Sequence, residues 1–153
     1  MNLLSPSTHL LLVLLMPLVG AGIIWLVSNR GLEAVRTSAA TTAVLTLIAT
    51  GWLILRYLMS SEASSNEVFA MASLPWLTGG MFDIRLSIGL DGLSLWLFGL
   101  SALLSVTAIF VSWEAVTERA AGFYMLLLLL EAAMLGVFVA RDIILFYVFF
   151  EFT

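Results

Sequence analysis

The 153-residue sequence contains no cysteine and no lysine, and only 10% of its residues are charged. Without cysteine the chain has no disulfide framework, no thiolate zinc site and no ligands for an iron–sulfur cluster. All six basic residues are arginine and the formal net charge is −4. Phosphate binding requires a basic stripe, so we expect no nucleic-acid partner. The sequence also lacks a phosphate loop, a GxGxxG motif, an HExxH motif and a nucleophile elbow.

The residues that are present are mostly apolar. Apolar types make up 62% of the chain and the mean hydropathy is +1.13, whereas an ordinary soluble domain is about half apolar and about a quarter charged. This composition excludes a disordered chain and a soluble enzyme domain. The few charges leave uncharged runs of about 20 residues, the length that crosses a bilayer as a helix. We predict an all-α polytopic membrane protein with four complete transmembrane helices, at 9–27, 37–58, 91–113 and 120–140.

A fifth apolar segment, 142–153, is too short to complete a span. Residues 143–153 would cover about 16 Å as a helix, whereas the hydrocarbon core is about 30 Å thick. We therefore expect only the first half of helix 5, either because a longer protein was cut here or because a second chain supplies the rest. The whole chain, 1–153, is then interpreted as the N-terminal part of one transmembrane domain.

The arginines predict the orientation of the chain. Arg30 and Arg36 follow helix 1 and no basic residue precedes it, so the positive-inside rule places the N-terminus outside. The later loops balance, with three arginines on each side in total. Because no clear cleavage site follows helix 1, we interpret it as a retained anchor rather than a signal peptide.

An extramembrane loop is predicted at 59–90, between helices 2 and 3. It opens with a loop-like composition and contains the Gly79–Gly80 pair. From Phe82 to Leu90 apolar residues alternate with polar or small ones, which predicts a half-buried strand. We expect this strand to lie on the outer surface of the helices, because an open strand edge cannot face lipid. Asp91 follows directly and is interpreted as the N-cap of helix 3.

Two carboxylates lie deep inside the predicted spans, Glu131 in helix 4 and Glu151 in helix 5. Each is ten residues from Arg141, so an antiparallel hairpin would hold both about 15 Å from the turn, near the middle of the bilayer. A carboxylate at that depth indicates proton transfer or counter-ion pairing, although a Glu hydrogen-bonded for packing alone gives the same pattern. Without lysine, a buried Glu151 must be neutral or paired with a cation from elsewhere. Tyr147 shares its helix face and can either bond the carboxylate or pack among the phenylalanines.

Two stretches of the sequence carry a resemblance to a known family. The first is LDGLSL at 90–95, and the second runs from Leu130 to Phe138 and on through Asp142 to the FYVFFE ending at Glu151. Together with Pro75–Trp76 they resemble the antiporter-like M chain, the subunit-4 homologue, of respiratory complex I. The FYVFFE type of ending favours the M chain over its L and N paralogues. The resemblance covers essentially the whole chain, which matches only the N-terminal third of that family.

The resemblance implies a subunit of the proton-pumping membrane arm of NADH:quinone oxidoreductase. Glu151 matches the family's helix 5 glutamate, which pairs with a lysine of a later helix, and Glu131 matches a helix 4 glutamate of lesser importance. Tyr147 and Asp91 are candidate supporting residues. The resemblance implies no cofactor or metal on this chain, because NADH, FMN, iron–sulfur clusters and quinone belong to other subunits. The expected partners are the other membrane-arm subunits and the lipid bilayer, in a bacterial plasma membrane rather than an organellar inner membrane.

The mechanism that the resemblance implies is electrostatic. A lysine from later sequence holds Glu151 ionised, and separation of the pair releases the lysine's proton, with Glu131 and water as a relay. Three alternatives stay open: a subunit of a multi-subunit cation/proton antiporter, a membrane subunit of an energy-converting hydrogenase, and a fragment without activity. Neighbouring genes would separate the first two from the complex I interpretation.

Overall fold

A computed structural model describes residues 5–60, 69–78 and 83–153. In chain order the elements of this part are α1 (Pro6–Val27), a 3-10 turn (Ser28–Arg30), α2 (Leu32–Leu58), β1 (Phe69–Thr78), β2 (Asp83–Leu90), α3 (Gly92–Val111), α4 (Ala120–Val139) and α5 (Ile143–Glu151). The predicted loop over 61–68, the Gly79–Gly80 pair and Phe82 lie outside the described residues.

The helices α1 to α4 are each long and apolar enough to cross a membrane. Large apolar side chains cover their outer surfaces; Trp25 is 69% exposed and Val111 is 82% exposed. A water-facing bundle would carry polar residues at such positions, so this surface fits lipid. The predicted membrane protein with four complete spans is therefore confirmed, and α5 follows as a shorter helix of nine residues.

Short polar side chains begin three of the helices. Ser5, Asp91 and Asp142 each accept a hydrogen bond from a backbone N–H in the first turn of α1, α3 and α5. These bonds satisfy donors that every helix start leaves without an intrahelical partner. The start of α2 is different, because it follows Gly31, whose φ of +106° is a conformation that favours glycine.

The start of α2 at Leu32 corrects the prediction of a helix beginning at residue 37. The prediction was wrong because it treated the charged Arg36 as part of a solvated loop. In the structure Arg36 is only 7% exposed. One guanidinium nitrogen donates to the backbone oxygen of Val116 at 3.1 Å, and the group lies 5.9 Å from the ring centroid of Trp113. The connection between α3 and α4 therefore binds the guanidinium group, which also pairs with Glu33 of α2 at 3.4 Å. The other helices begin and end within three residues of their predicted bounds.

The four long helices run alternately up and down. Each packs against the next in the chain, and α4 also packs against α1, so the four form a closed ring. Helices α2 and α4 touch across this ring. Buried apolar side chains form two separate clusters, one at each end of the bundle. The hairpin-end cluster consists of Leu10, Val13, Leu14, Leu53, Tyr57, Ala70, Ile88, Leu90, Leu95, Phe98, Leu135 and Val139. The loop-end cluster consists of Ala21, Ile24, Val35, Ala39, Ala43, Ile109, Ala120, Tyr124 and Leu128.

The strands β1 and β2 pair antiparallel, with Pro75 opposite Arg85 and irregular register on either side of the central pairs. The strand predicted from the two-residue period is confirmed for the described residues Asp83–Leu90, and it lies at the end of the bundle opposite Arg36. The prediction of a loop over Phe69–Thr78 is wrong, since this segment is the partner strand β1. Its sequence does not alternate and contains proline, but a two-stranded sheet has only edge strands, which tolerate proline.

Candidate functional site

Glu131 is a buried carboxyl group inside the helix bundle. It lies on α4, eight residues before the helix ends at Val139, which places it about 12 Å from that end. Its side chain is 1% exposed. Among the described residues, neither Oε1 nor Oε2 has a hydrogen-bond partner. An ionised carboxylate here would be desolvated without compensation, which makes this a costly position for the side chain.

Glu131 belongs to a layer of polar side chains between the two apolar clusters. This polar layer consists of Thr46, Thr50, Ser101, Ser105 and Glu131, each at most 8% exposed. Three of the hydroxyls, those of Thr46, Ser101 and Ser105, donate to the carbonyl four residues earlier in their own helix. Thr50 differs, because its Oγ1 has no partner among the residues that the structure describes. The layer therefore has unused hydrogen-bonding capacity on α2 and on α4.

Glu151 lies on α5 and is exposed on the surface of the chain. The hydroxyl of Tyr147 donates a hydrogen bond to its Oε1 at 2.8 Å. Of the two alternatives that the sequence left open for Tyr147, the structure shows the bond to the carboxylate. Helix α5 packs against α4. The ring of Phe149 lies so close to Gly136 that a Cβ added to Gly136 would clash with it. Every residue of α5 keeps some exposure, so one face of the helix contacts α4 and the other is open.

Asp91 joins α3 to the turn between α4 and α5. Its carboxylate caps α3 by accepting from the backbone N–H of Ser94 at 2.7 Å, which confirms the predicted N-cap. The other oxygen lies 3.3 Å from a guanidinium nitrogen of Arg141. The hydrogen bonds from Ser94, and to a smaller extent the charge of Arg141, hold the pKa of Asp91 below its ordinary value. The backbone N–H of Arg141 also donates to the oxygen of Ser87 in β2 at 2.9 Å.

The structure thus places the four predicted site residues in three locations. Glu131 is inside the bundle, Tyr147 and Glu151 are together on α5, and Asp91 is at the hairpin end. The equal depth of Glu131 and Glu151 stays a prediction. Sequence reasoning missed Arg141 as the partner of Asp91, because the two are fifty residues apart. It also missed Thr50, although this residue continues the buried stripe of α2 at helical spacing.

The chemistry open to these groups is proton exchange. A carboxylic acid can release a proton to a hydrogen-bonded neighbour and take one up again, and the hydroxyls of the polar layer can extend such a chain. In residues 5–60, 69–78 and 83–153 no group of three or more His, Asp or Glu side chains is placed to hold a metal ion.

These features define a multi-pass α-helical membrane protein whose spans enclose a buried carboxyl group. The chain is 30% identical, over 141 residues and 91% of its length, to NADH-quinone oxidoreductase subunit M of Escherichia coli. It is 31% identical, over 142 residues and 93% of its length, to F420H2 dehydrogenase subunit M of the archaeon Methanosarcina mazei. No protein-family model matches the chain. The chain is homologous, over most of its length, to the subunit M and chain 4 family of NADH-quinone oxidoreductases.

The homology confirms the resemblance found in the sequence, and it covers a part of the relatives. The chain spans 27% of the length of the Escherichia coli and Methanosarcina mazei proteins. The fold also occurs in a solved structure of a membrane-bound sulfane sulfur reductase, described as an archaeal respiratory membrane complex. One chain of that complex matches with a TM-score of 0.59 and 18% identity, over 92% of this chain and 20% of that one. This second likeness shows the fold alone.

Proposed function

We propose that the chain is a proton-translocating membrane subunit of an NADH:quinone oxidoreductase and forms part of one antiporter-like transmembrane domain. The observation that carries the proposal is the carboxyl of Glu131, fully buried in the bundle without a hydrogen-bond partner among the described residues. A protein retains so costly a group in a membrane span where it has work to do. The homology to subunit M supports this assignment of the work.

Glu151 is the proposed principal proton-pathway residue, and Glu131 is the proposed relay. The carboxylate of Glu151 uses one oxygen for the hydroxyl of Tyr147 and is open on the other side. A cation packed against the open face of α5 would pair with Glu151. At an effective dielectric constant of about 20, separating such a pair from about 4 to about 6 Å weakens it by about 1.4 kcal/mol, which is about a tenfold change in an equilibrium constant. Glu131 exchanges protons with water in the polar layer.

The proposed setting follows from the same family. The other membrane-arm subunits and lipid surround the chain, and NADH, FMN, the iron–sulfur clusters and quinone are bound by other subunits. The proposed location is a bacterial plasma membrane. The proposed orientation has the N-terminus outside, because Arg30 and Arg36 follow the first span and no basic residue precedes it.

The test is to replace each glutamate by glutamine in the chromosomal gene, so that the living cell produces the variant complex. Glutamine keeps the shape and hydrogen bonding of the side chain but cannot titrate. In inverted membrane vesicles, Glu151→Gln should abolish NADH-driven proton uptake while the complex still assembles, and Glu131→Gln should reduce the uptake less, since water can bridge a relay position. Glu118→Gln, in the exposed turn before α4, is the matched control and should behave as wild type. Near-normal uptake by a fully assembled Glu151→Gln complex would reject the assignment.

A second candidate is the same proton-carrying role in a respiratory membrane complex with a different electron donor. The similarity to F420H2 dehydrogenase subunit M favours it, because that relative is named for another donor. The same vesicles separate the two candidates. Proton uptake driven by NADH supports the first, and uptake driven by another reduced donor but not by NADH supports the second. Uptake that depends on a sodium or potassium gradient, without any electron donor, would indicate a cation/proton antiporter.

A further inference from the structure

The buried residues of α2 and α4 contribute to the same two apolar clusters, in the same order along the two helices. Towards the hairpin end, Leu53 of α2 and Leu135 of α4 belong to the same apolar cluster. Towards the other end, Ala43 of α2 and Leu128 of α4 belong to the same second cluster. Because α2 and α4 also touch directly, the residues between these pairs lie on the two stretches that separate the clusters inside the bundle.

The residues between them are Thr46 and Thr50 on α2 and Glu131 on α4. Thr50 lies eight residues before the end of α2 at Leu58, and Glu131 lies eight residues before the end of α4 at Val139. Both are therefore about 12 Å from the hairpin end of the bundle. Their side chains are 0% and 1% exposed. The two groups are therefore buried at a similar depth, one on each helix.

The two threonines differ in their hydrogen bonds. Thr46 donates to the carbonyl of Thr42 at 3.0 Å, as threonines in helices commonly do. Thr50 makes no such bond, and its hydroxyl has no partner in the part of the chain that the structure describes. The hydroxyl of Thr50 and both oxygens of Glu131 therefore form a set of three polar atoms, all buried and all unpartnered.

Helix α1, which packs against α4, also contains a carbonyl group without an intrahelical donor. Pro17 is buried inside α1. Proline has no N–H, so the carbonyl oxygen of Val13 lacks its intrahelical donor. Val13 is itself fully buried in the hairpin-end cluster.

We infer that α2 and α4 enclose a buried water site in which water joins the hydroxyl of Thr50 to the carboxyl of Glu131. Buried water typically makes about three hydrogen bonds to polar groups that otherwise have none, and this set supplies both donors and acceptors. The two side chains are not hydrogen-bonded to each other, so a bridging water is the partner that satisfies both. Thr50 is then a positioning residue that holds the water, and Glu131 is hydrated although no part of it reaches the surface.

This inference rests on the proposed function, in which Glu131 exchanges protons with water, and deepens it by naming the residue that holds the water. Its test reads the environment of the carboxyl group itself, so it can fail while the proton-uptake assay succeeds, and the reverse. The test is infrared spectroscopy of the chain in lipid nanodiscs. The carbonyl stretch of a protonated carboxylic acid reports hydrogen bonds to that group, and Glu131→Gln identifies the band by removing it. Thr50→Val keeps the branched shape of the side chain but removes the hydroxyl. We expect it to move the Glu131 band to higher wavenumber, because the bound water loses an anchor.

Thr46→Val is the matched control, one helical turn away on the same buried stripe. Its hydroxyl is already bonded to its own helix, so the Glu131 band should stay in place. Thr50→Ser, which restores a hydroxyl, should return the band to its wild-type position, and Thr50→Ala repeats the test if the valine variant does not fold. The inference is overturned if Glu131→Gln removes no carboxylic acid band, if Thr50→Val and Thr50→Ala leave the band unmoved, or if Thr46→Val moves it equally.

Discussion

The contact between Asp91 and Arg141 gives a prediction whose size can be worked from the structure. Asp91 has two roles that separate variants can remove. Its N-cap bond to Ser94 is short, at 2.7 Å, and loss of an N-cap to alanine costs about 1 kcal/mol. Its ion pair with Arg141 is 3.3 Å long, and the two side chains are 35% and 44% exposed, so the pair contributes only about 0.5 kcal/mol.

Three variants follow from these roles. Asp91→Ala loses both contributions, so the free energy of unfolding should fall by about 1.5 kcal/mol. Asp91→Asn keeps the cap and loses the pair, so it should cost about 0.5 kcal/mol, as should Arg141→Ala. Steric-trap unfolding in bicelles measures these differences. Raising the salt concentration should shrink the cost of Asp91→Asn but leave most of the cost of Asp91→Ala, because screening acts on the pair and not on the cap.

The pH dependence has a definite sign. Because the folded protein holds the pKa of Asp91 below its ordinary value, the stabilisation by the ionised carboxylate is present above the ordinary aspartate pKa of about 3.9. It is lost as the pH falls through the lower pKa of the folded state. The stability curves of wild type and Asp91→Asn should therefore converge in acid and separate above about pH 4.

The double variant decides whether the two residues interact. If the ion pair is real, Arg141→Ala should cost about 0.5 kcal/mol in the wild-type background and nothing when Asp91 is already alanine. Equal costs in the two backgrounds would refute the coupling and leave Arg141 with only its backbone bond to Ser87.

Two further predictions concern close packing and a buried charge. Gly136→Ala should displace the ring of Phe149 and loosen α5, lowering the unfolding free energy by about 1–3 kcal/mol. Gly122→Ala on the same helix meets nothing within 4 Å and should be neutral or stabilising. Proteolysis of the α4–α5 turn compares the two variants, and equal rates of cleavage would contradict the prediction. Arg36→Ala should cost about 2 kcal/mol, because it leaves the backbone oxygen of Val116 without its charged donor, and an unchanged thermal unfolding curve would show that water replaces the bond.

Charge placement predicted the four spans, because a bilayer imposes a length and a polarity that composition alone can reveal. It failed at Arg36, where the cation is buried against residues eighty positions later and nothing local indicates such a partner. Periodicity predicted β2, but β1 has no period of its own and is a strand only because β2 pairs with it. The site divides in the same way. The cost of burial pointed to Glu131 and the i, i+4 rule to Tyr147, whereas Thr50 needed the packed bundle to show which threonine lacks a partner.

The threonine and serine side chains of α2 affect how this helix enters a membrane. The hydroxyls of Thr37, Ser38, Thr41, Thr42 and Thr46 all donate to carbonyls of their own helix. The helix itself hides these hydroxyls from hydrocarbon, so they do not oppose the passage of α2 from the translocon into lipid beside α1. Thr50 is the exception among the described buried hydroxyls of α2. With the inferred water site, the hydroxyl of Thr50 gains its partner only after α4 has brought Glu131 into the bundle. Insertion of the first two helices and closure of the bundle should therefore be separate events in the biogenesis of the protein.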